Sequence, residues 1–230
     1  MKRIGLLGGM SWESSVEYER LINEAVRTRL GGVASADLIV RSYNFAEIED
    51  LLVAGDWDRA GSILAADARM LERAGAEVIA LCTNTMHKVA PAIEEAIDVP
   101  FVHIVDATAD VIRAQGLDAV ALLGTRYTME DPFYRERLGG FGVLSIVPNE
   151  PDRTMVHDVI FEELVRGIIV DASRDRYLRA TDALIAQGAR GVIAGCTEIE
   201  LLVGTDDLAV PYFPSTSLHV EAIVDASFAD

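Results

Sequence analysis

Two Cys-Thr pairs are the residues of this sequence best suited to chemistry. Cys82-Thr83 and Cys196-Thr197 each follow an apolar run, VIAL and VIAG, of the length expected for a buried strand. The chain has no other cysteines. A thiol ionises near pH 8.5, and more readily at a helix N-terminus, so a cysteine placed there can exchange a proton with a bound molecule.

The two pairs belong to an internal repeat. An LLG motif lies upstream of each pair, 74 residues from Gly8 to Cys82 and 72 residues from Gly124 to Cys196. A Val-Pro pair opening a further apolar run follows each of them. The repeat predicts two similar lobes of roughly 100 residues each, without a long linker.

The elements that must position these residues are strands alternating with amphipathic helices. Eight apolar runs rich in Val, Ile and Leu lack polar alternation, which is typical of strands in a parallel sheet covered on both faces. Strand and helix in alternation predict an α/β fold, and the repeat makes it two similar parallel-sheet lobes. If the two lobes face each other, their strand ends would meet at one cleft. The predicted strands are 3–8, 36–41, 77–82, 100–105, 118–124, 142–147, 190–195 and 209–213, and the clearest helical patterns span 58–74 and 152–166.

Two facing strand ends suit the inversion of a carbon centre. To exchange enantiomers of an amino acid, one group removes the α-proton from one face and another supplies a proton to the opposite face. A pair of matched Cys-Thr sites would flank such a substrate. A purely structural role, in which both cysteines only fill the core, is less favoured because both occupy matched positions of the repeat.

Composition and charge exclude several other classes of function. Of 230 residues, 50% are hydrophobic, and 37 acidic against 20 basic residues give a net charge of −17. No basic stripe suits nucleic acid or an anionic membrane surface. The opening MKRIGLLGGMSWES has too short an apolar stretch for a signal or a membrane span, which favours a cytoplasmic protein. His87, His103, His157 and His219 lack metal-ligand spacing, and GLLGG is not a dinucleotide fingerprint, so no metal or nicotinamide is expected.

Four motifs together resemble the aspartate/glutamate racemase family, in order and spacing, across essentially the whole chain. They are IGLLGGMSWES from Ile4, CTNTMHK from Cys82, LLGTRYTME from Leu122 and GCTEI from Gly195. The resemblance implies amino-acid racemisation without pyridoxal phosphate or metal. It also implies two parallel-sheet α/β lobes related by pseudo-two-fold symmetry, with the active site in the cleft between them, a last helix that crosses back to the first lobe, and a homodimer. The lobes would then be 1–99 plus 208–230, and 100–207.

The resemblance also raises a question of register in the first lobe. The family motif Cys-Asn-Thr-x-His places its catalytic cysteine directly before the Asn, and here Thr83 occupies that slot while Cys82 lies one residue upstream. The internal repeat favours Cys82 as the partner of Cys196, whereas the motif favours Thr83. We take Thr83 and Cys196 as the catalytic pair and keep Cys82 as the alternative.

The remaining site residues are implied by the resemblance. It assigns the substrate α-carboxylate to Asn84, Thr85 and Thr197, and gives Glu198 the orientation of the thiol or the substrate amino group. Met10 and Ser11 match a turn that lines the substrate, and Thr83 would contact it as well. Ordinary packing and helix capping are the structural alternatives for these residues.

The resemblance implies aspartate or glutamate as the substrate, and the distal carboxylate of either calls for a cation such as Arg41, Arg126 or Arg166. A broad-specificity amino-acid racemase and a related isomerase or decarboxylase remain alternatives. From another class, a small-molecule binding protein that has lost one base also fits the threonine in the cysteine slot.

Overall fold

The computed structural model describes residues 1–229, which divide into two compact units. The first unit comprises Met1–Ile104 and the segment from His219 onward, and the second comprises Val105–Leu218. Each unit is built on a four-stranded parallel sheet, which confirms the predicted α/β class. The strands are β1 Ile4–Gly8, β2 Leu38–Ser42, β3 Val78–Leu81 and β4 Phe101–Val102, then β5 Ala119–Gly124, β6 Leu144–Ile146, β7 Val192–Gly195 and β8 Tyr212–Pro214.

Helices follow most of the strands, as the parallel pairing requires. The predicted helix 58–74 is observed one residue earlier, and the predicted helix 152–166 ends at Glu162 and is followed by a short 3-10 turn. The helices are α1 Trp12–Leu30, α2 Phe45–Ala54, α3 Trp57–Arg73, α4 Ala90–Glu94, α5 Ile104–Ala114, α6 Arg126–Glu130, α7 Pro132–Gly140, α8 Asp152–Glu162, α9 Asp171–Ala186 and α10 Ser215–Phe228. Four 3-10 helices lie at Thr85–Val89, Leu164–Arg166, Thr197–Leu201 and Thr205–Asp207.

Each of the eight predicted apolar runs overlaps one of the eight strands, and β2 and β8 extend one residue beyond their predicted ends. The central strands are the most deeply buried, and every residue of β1, β3 and β7 is buried because helices cover both faces. The strand order is β2-β1-β3-β4 in the first sheet and β6-β5-β7-β8 in the second. The internal repeat therefore corresponds to two sheets of the same topology.

The two units differ from the predicted lobes at both boundaries. β4 pairs with β3, so residues 101 and 102 belong to the first sheet although the prediction gave them to the second lobe. β8 pairs with β7, so 212–214 belong to the second sheet rather than to the returning segment. The predicted boundaries assigned the strand after each Val-Pro pair to the other lobe, whereas the internal repeat grouped it with the Cys-Thr pair that precedes it. The observed pairing agrees with the repeat.

Helix α10 returns the chain to the first unit and completes its core. Val220, Ile223 and Val224 pack in one buried cluster with Ile4 and Ile22. Two hydrogen bonds reinforce this packing through a buried histidine. His219 Nε2 donates to the Val102 carbonyl at 2.8 Å, and Nδ1 accepts from the Tyr18 hydroxyl at 2.8 Å.

This histidine makes the stability of the protein sensitive to acid. Burial lowers the pKa of His219 from 6.5 to about 4, so the unfolded chain binds its proton more readily than the folded chain. Stability therefore falls as the pH drops from about 6.5 to 4, by roughly 3 kcal/mol from this group. His219→Gln, which keeps an N–H donor and does not titrate, isolates the effect from that of the carboxylates. Denaturant unfolding of both proteins at pH 7 and pH 4 measures it, and a difference that does not change with pH contradicts it.

Candidate functional site

The repeated motifs lie at the carboxyl ends of the two central strands of each sheet. β1 and β3 are central in the first sheet, and β5 and β7 in the second. The chain order changes direction between such strands, so the connecting helices diverge and leave a crevice at the strand ends. Each unit therefore has a candidate half-site at this edge of its own sheet.

Cys82 is a core residue. It is fully buried and packs in the cluster that contains Ile4, Leu6 and Tyr18. Burial raises the pKa of its thiol far above the ordinary value, which disfavours the thiolate. Cys82 thus has the surroundings of a packing residue rather than those of a base.

Thr83 lies in the loop that follows β3 and is partly exposed. Its backbone N–H donates to the Leu81 carbonyl at 2.9 Å, which turns the chain away from the strand direction. Because β3 ends at Leu81, Cys82 and Thr83 both lie beyond it, and the rule that neighbouring strand residues point to opposite faces does not apply to them. Their burial separates them, because the side chain of Cys82 is in the core and that of Thr83 is not.

Strand pairing gives a second comparison of the two half-sites, which starts from the LLG motifs instead of the Cys-Thr pairs. In the second sheet Gly124 of the LLG motif pairs with Gly195, directly before Cys196. In the first sheet Leu7 pairs with Leu81, the last residue of β3, and continuing this register by one step sets Gly8 against Cys82. With the two LLG motifs superposed, the residue level with Cys196 is therefore Thr83.

Asn84 and Thr85 continue the Thr83 loop. Asn84 is buried, and Thr85 is partly buried at the start of the 3-10 helix Thr85–Val89. Both therefore lie at the same strand edge as Thr83, in the order that the motif predicts.

Met10 and Ser11 follow β1 at this edge. Met10 packs in the core with Leu7 and Tyr43, and Ser11 caps α1 by accepting a hydrogen bond from the Ser14 N–H at 3.3 Å. Gly9 precedes them with φ of +85°, and a Cβ there would lie 2.3 Å from the Tyr43 nitrogen. This turn therefore requires glycine.

Cys196 lies at the end of β7 and is partly exposed. Its Sγ donates a hydrogen bond to Glu198 Oε2 at 2.8 Å, and the Glu198 side chain is itself buried. Burial, and next the charge of Glu198, raise the pKa of the Cys196 thiol well above its ordinary value. The sequence predicts a helix N-terminus that lowers this pKa, but only a 3-10 helix of five residues follows Cys196, and burial and Glu198 raise the pKa instead.

Three hydroxyl residues of α10 hold the Cys196 loop, and sequence reasoning missed them. The Ser215 hydroxyl donates to the Ala194 carbonyl at 2.6 Å, and Thr216 donates to the Thr197 hydroxyl at 3.3 Å. Ser217 donates to Glu200 at 3.2 Å. The Ser-Thr-Ser run directly after an apolar strand was the available signal, since hydroxyls there are placed to bond a neighbouring strand end.

The three candidate arginines have different surroundings. Arg41 pairs with Asp67 at 2.9 Å and stacks on the Tyr43 ring at 4.2 Å. Arg126 lies 3.6 Å from the Glu130 carboxylate.

Arg166 forms no ion pair with any residue in the described part of the chain. It is exposed on the 3-10 helix Leu164–Arg166, where the neighbouring Leu164 packs with Ile199 of the Cys196 loop. Of the three, Arg166 alone combines an unpaired guanidinium with an element that contacts this loop.

No group of three or more His, Cys, Asp and Glu side chains within 1–229 is arranged to hold a metal ion. No helix in this range is long and apolar enough to cross a membrane.

Comparison with known proteins gives consistent matches. The broad-specificity amino-acid racemase RacX of Bacillus subtilis is 26% identical over 181 residues, covering 76% of this chain and 75% of RacX. A crystal structure from Yersinia pestis with a provisional Asp/Glu racemase assignment is 51% identical, with a TM-score of 0.95 and full coverage of both chains. An aspartate racemase homologue from Pyrococcus horikoshii is 34% identical, with a TM-score of 0.89 and the same coverage. A model of the Asp/Glu/hydantoin racemase family matches residues 7–223, which include all four strand ends described above, so the chain belongs to this family.

Proposed function

We propose that the protein racemises an amino acid, with aspartate and glutamate as preferred substrates, by two-base proton transfer at the α-carbon. Cys196 exchanges the proton on one face and Thr83 on the other. The observation that carries the proposal is the hydrogen bond of 2.8 Å from the Cys196 thiol to Glu198. A thiol bonded to a carboxylate can pass its proton to that carboxylate and then accept the substrate's α-proton.

The high pKa of the thiol suits a reaction that starts only on substrate binding. At rest Cys196 is a neutral thiol, and the ammonium group of a bound amino acid supplies the positive charge that favours the thiolate. The substrate's α-proton then moves to sulfur while Glu198 holds the thiol's own proton. On the opposite face Thr83 gives its hydroxyl proton to the planar carbanion and takes a proton from solvent in its place, because a hydroxyl is a poor base but a competent donor.

The surroundings of Thr83 and Cys82 support Thr83 as the second group. Cys82 is buried with apolar partners, and Thr83 is level with Cys196 when the two sheets are compared. Asn84, Thr85 and Thr197 would bind the α-carboxylate beside them, and Met10 and Ser11 would line the substrate.

The preference for an acidic substrate rests on Arg166. Its guanidinium forms no ion pair within residues 1–229, and its 3-10 helix packs on the segment that follows Cys196. A free guanidinium can bind a carboxylate with two parallel hydrogen bonds. Arg41 and Arg126 are less suited, because acidic neighbours already pair with them.

The experiment that tests the function is a racemisation screen over both enantiomers of the common amino acids, using protein that has been treated with a chelator and desalted. We expect aspartate and glutamate to be racemised at full rate without any addition. Activity that returns only with pyridoxal phosphate or zinc would reject the proposed chemistry. A flat profile across many amino acids would support a broad-specificity racemase like RacX instead.

The register of the first half-site gives a separate prediction. We expect Cys82→Ala to keep racemisation within a few-fold of the unmodified protein, because its side chain only packs in the core. Thr83→Ala should lose inversion by roughly 10²-fold or more, since it removes a proton donor. Steady-state racemisation by both variants measures this, with thermal unfolding as the control for folding. If Cys82→Ala is inactive and Thr83→Ala is active, Cys82 is the second base, as the internal repeat indicates.

The second candidate function is a small-molecule binding protein without turnover, favoured by the weakly acidic hydroxyl in the cysteine slot. Incorporation of solvent deuterium at the α-carbon distinguishes the two functions, because a binding protein exchanges nothing.

A homodimer and a cytoplasmic location are also part of our proposal. The family resemblance supports the homodimer.

A further inference from the structure

His87 is a buried side chain that hydrogen bonds to the backbone of Thr83. Its Nδ1 lies 2.6 Å from the Thr83 carbonyl oxygen. Its Nε2 accepts a hydrogen bond from the Ile104 N–H at 3.2 Å. An amide N–H can only donate, so Nε2 is unprotonated, and Nδ1 carries the ring proton and donates it to Thr83. The two contacts therefore fix one neutral tautomer.

His87 holds the loop between β3 and the following 3-10 helix at two carbonyl groups. Its ring bonds the Thr83 carbonyl, and its backbone N–H donates to the Asn84 carbonyl at 3.1 Å. The Thr83 N–H is bonded to Leu81, so both polar groups of the Thr83 backbone are occupied. A rotation of the Thr83 peptide groups would break these bonds, which sets the direction of the Thr83 side chain.

The two half-sites differ in the distance from the candidate residue to the 3-10 helix that follows it. The 3-10 helix after Cys196 starts at the next residue, Thr197. In the first unit Asn84 lies between Thr83 and the 3-10 helix that starts at Thr85. The ring of His87, which belongs to this 3-10 helix, spans the additional residue by bonding the Thr83 carbonyl.

Other aromatic rings enclose the His87 ring and restrict its position. The His103 ring is 4.5 Å away between centroids, and those of Phe101 and His219 are each 5.7 Å away. His87 itself is 1% exposed. Packing on several sides holds the His87 ring in one orientation, so its hydrogen bond also holds the Thr83 carbonyl in place.

We propose that His87 is a positioning residue for the reaction. It orients the Thr83 hydroxyl for proton transfer by bonding the Thr83 carbonyl, without touching the substrate. This inference rests on the proposed function, in which Thr83 serves one face of the substrate.

Two substitutions separate the two hydrogen bonds of the ring. In His87→Asn the side-chain amide nitrogen can take the place of Nδ1, so the donor to Thr83 is kept and the acceptor for Ile104 is lost. In His87→Gln the amide oxygen can take the place of Nε2, so the acceptor is kept and the donor is lost. Each variant removes one buried hydrogen bond and some ring volume, which makes them matched in their cost to folding.

The readout is the ratio of α-deuterium exchange to inversion for L-aspartate in deuterated water. Exchange needs only the Cys196 side, whereas inversion also needs Thr83, and the ratio does not depend on the fraction of protein that is folded. We expect His87→Gln to raise this ratio by about 10- to 100-fold, because a misplaced donor slows only the second step. His87→Asn should stay within about threefold of the unmodified protein.

The outcomes distinguish this inference from the proposed function. An active protein in which both variants keep the unmodified ratio, or change it equally, overturns the role of His87 and leaves racemisation intact. Absence of both exchange and inversion in the unmodified protein rejects the proposed function, and the role of His87 with it.

Discussion

Replacing Cys196 with alanine is expected to lower racemisation by about 10²- to 10⁴-fold, the range of a lost general acid-base group. The partly exposed thiol is bonded to Glu198 and packs beside a buried cluster, and the variant removes only sulfur. The fold should therefore remain intact. Racemisation from each enantiomer, with circular dichroism and thermal unfolding alongside, measures the effect.

Cys196→Ser is the matched variant, since it keeps a polar hydrogen at nearly the same position. A hydroxyl is a far weaker acid than a thiol, so this protein should be almost as impaired as the alanine variant. Retained racemisation in Cys196→Ala would show that sulfur is not the group that moves the proton. The mechanism proposed here would then be wrong.

The second large effect concerns hydrogen exchange in deuterated water. Cys196 should abstract the α-proton from the enantiomer it faces, which the family resemblance suggests is L, and Thr83 should abstract poorly from the other. The L-enantiomer should therefore gain deuterium faster than it inverts, and the D-enantiomer should exchange slowly. Mass spectrometry combined with chiral chromatography separates exchange from inversion.

Thermodynamics limits where this asymmetry can appear. Enantiomers have equal free energies, so kcat/KM for the complete reaction is the same in both directions. The inequality must therefore lie in kcat and KM taken separately, or in exchange without inversion.

Thr83→Cys is the control for the exchange experiment, because it places a second thiol on the opposite face. The exchange rates of the two enantiomers should then approach each other. Equal rates in the unmodified protein would mean that two comparable bases are already present, and Cys82 would be the candidate for the second.

The sequence predicts the strands well and their partners less well. β1 and β3 are continuous apolar runs because both faces of a parallel sheet are covered, and this pattern is local. The neighbours of β4 and β8 depend on contacts distant in the chain, and the predicted boundaries failed at these strands. A Val-Pro pair indicates that a strand begins but not which sheet it joins.

At the candidate site, residue types are predictable and their environments are not. The motifs identify Thr83 and Cys196 as candidates. Only the folded structure reveals that Glu198 accepts the hydrogen bond of the Cys196 thiol, and that burial together with Glu198 raises the pKa of this thiol. The support from α10 was missed, because its hydroxyls bond Ala194 and Thr197 from a segment near the end of the chain.

The return of α10 to the first unit also fixes the order in which the protein can fold as it is synthesised. Val105–Leu218 is one continuous segment, so the second unit can complete its core once that stretch has left the ribosome. The first unit is synthesised first but lacks Val220, Ile223 and Val224, which close its cluster around Ile4 and Ile22. Until α10 has been synthesised, the first sheet therefore exposes to solvent the apolar residues that α10 covers in the folded protein.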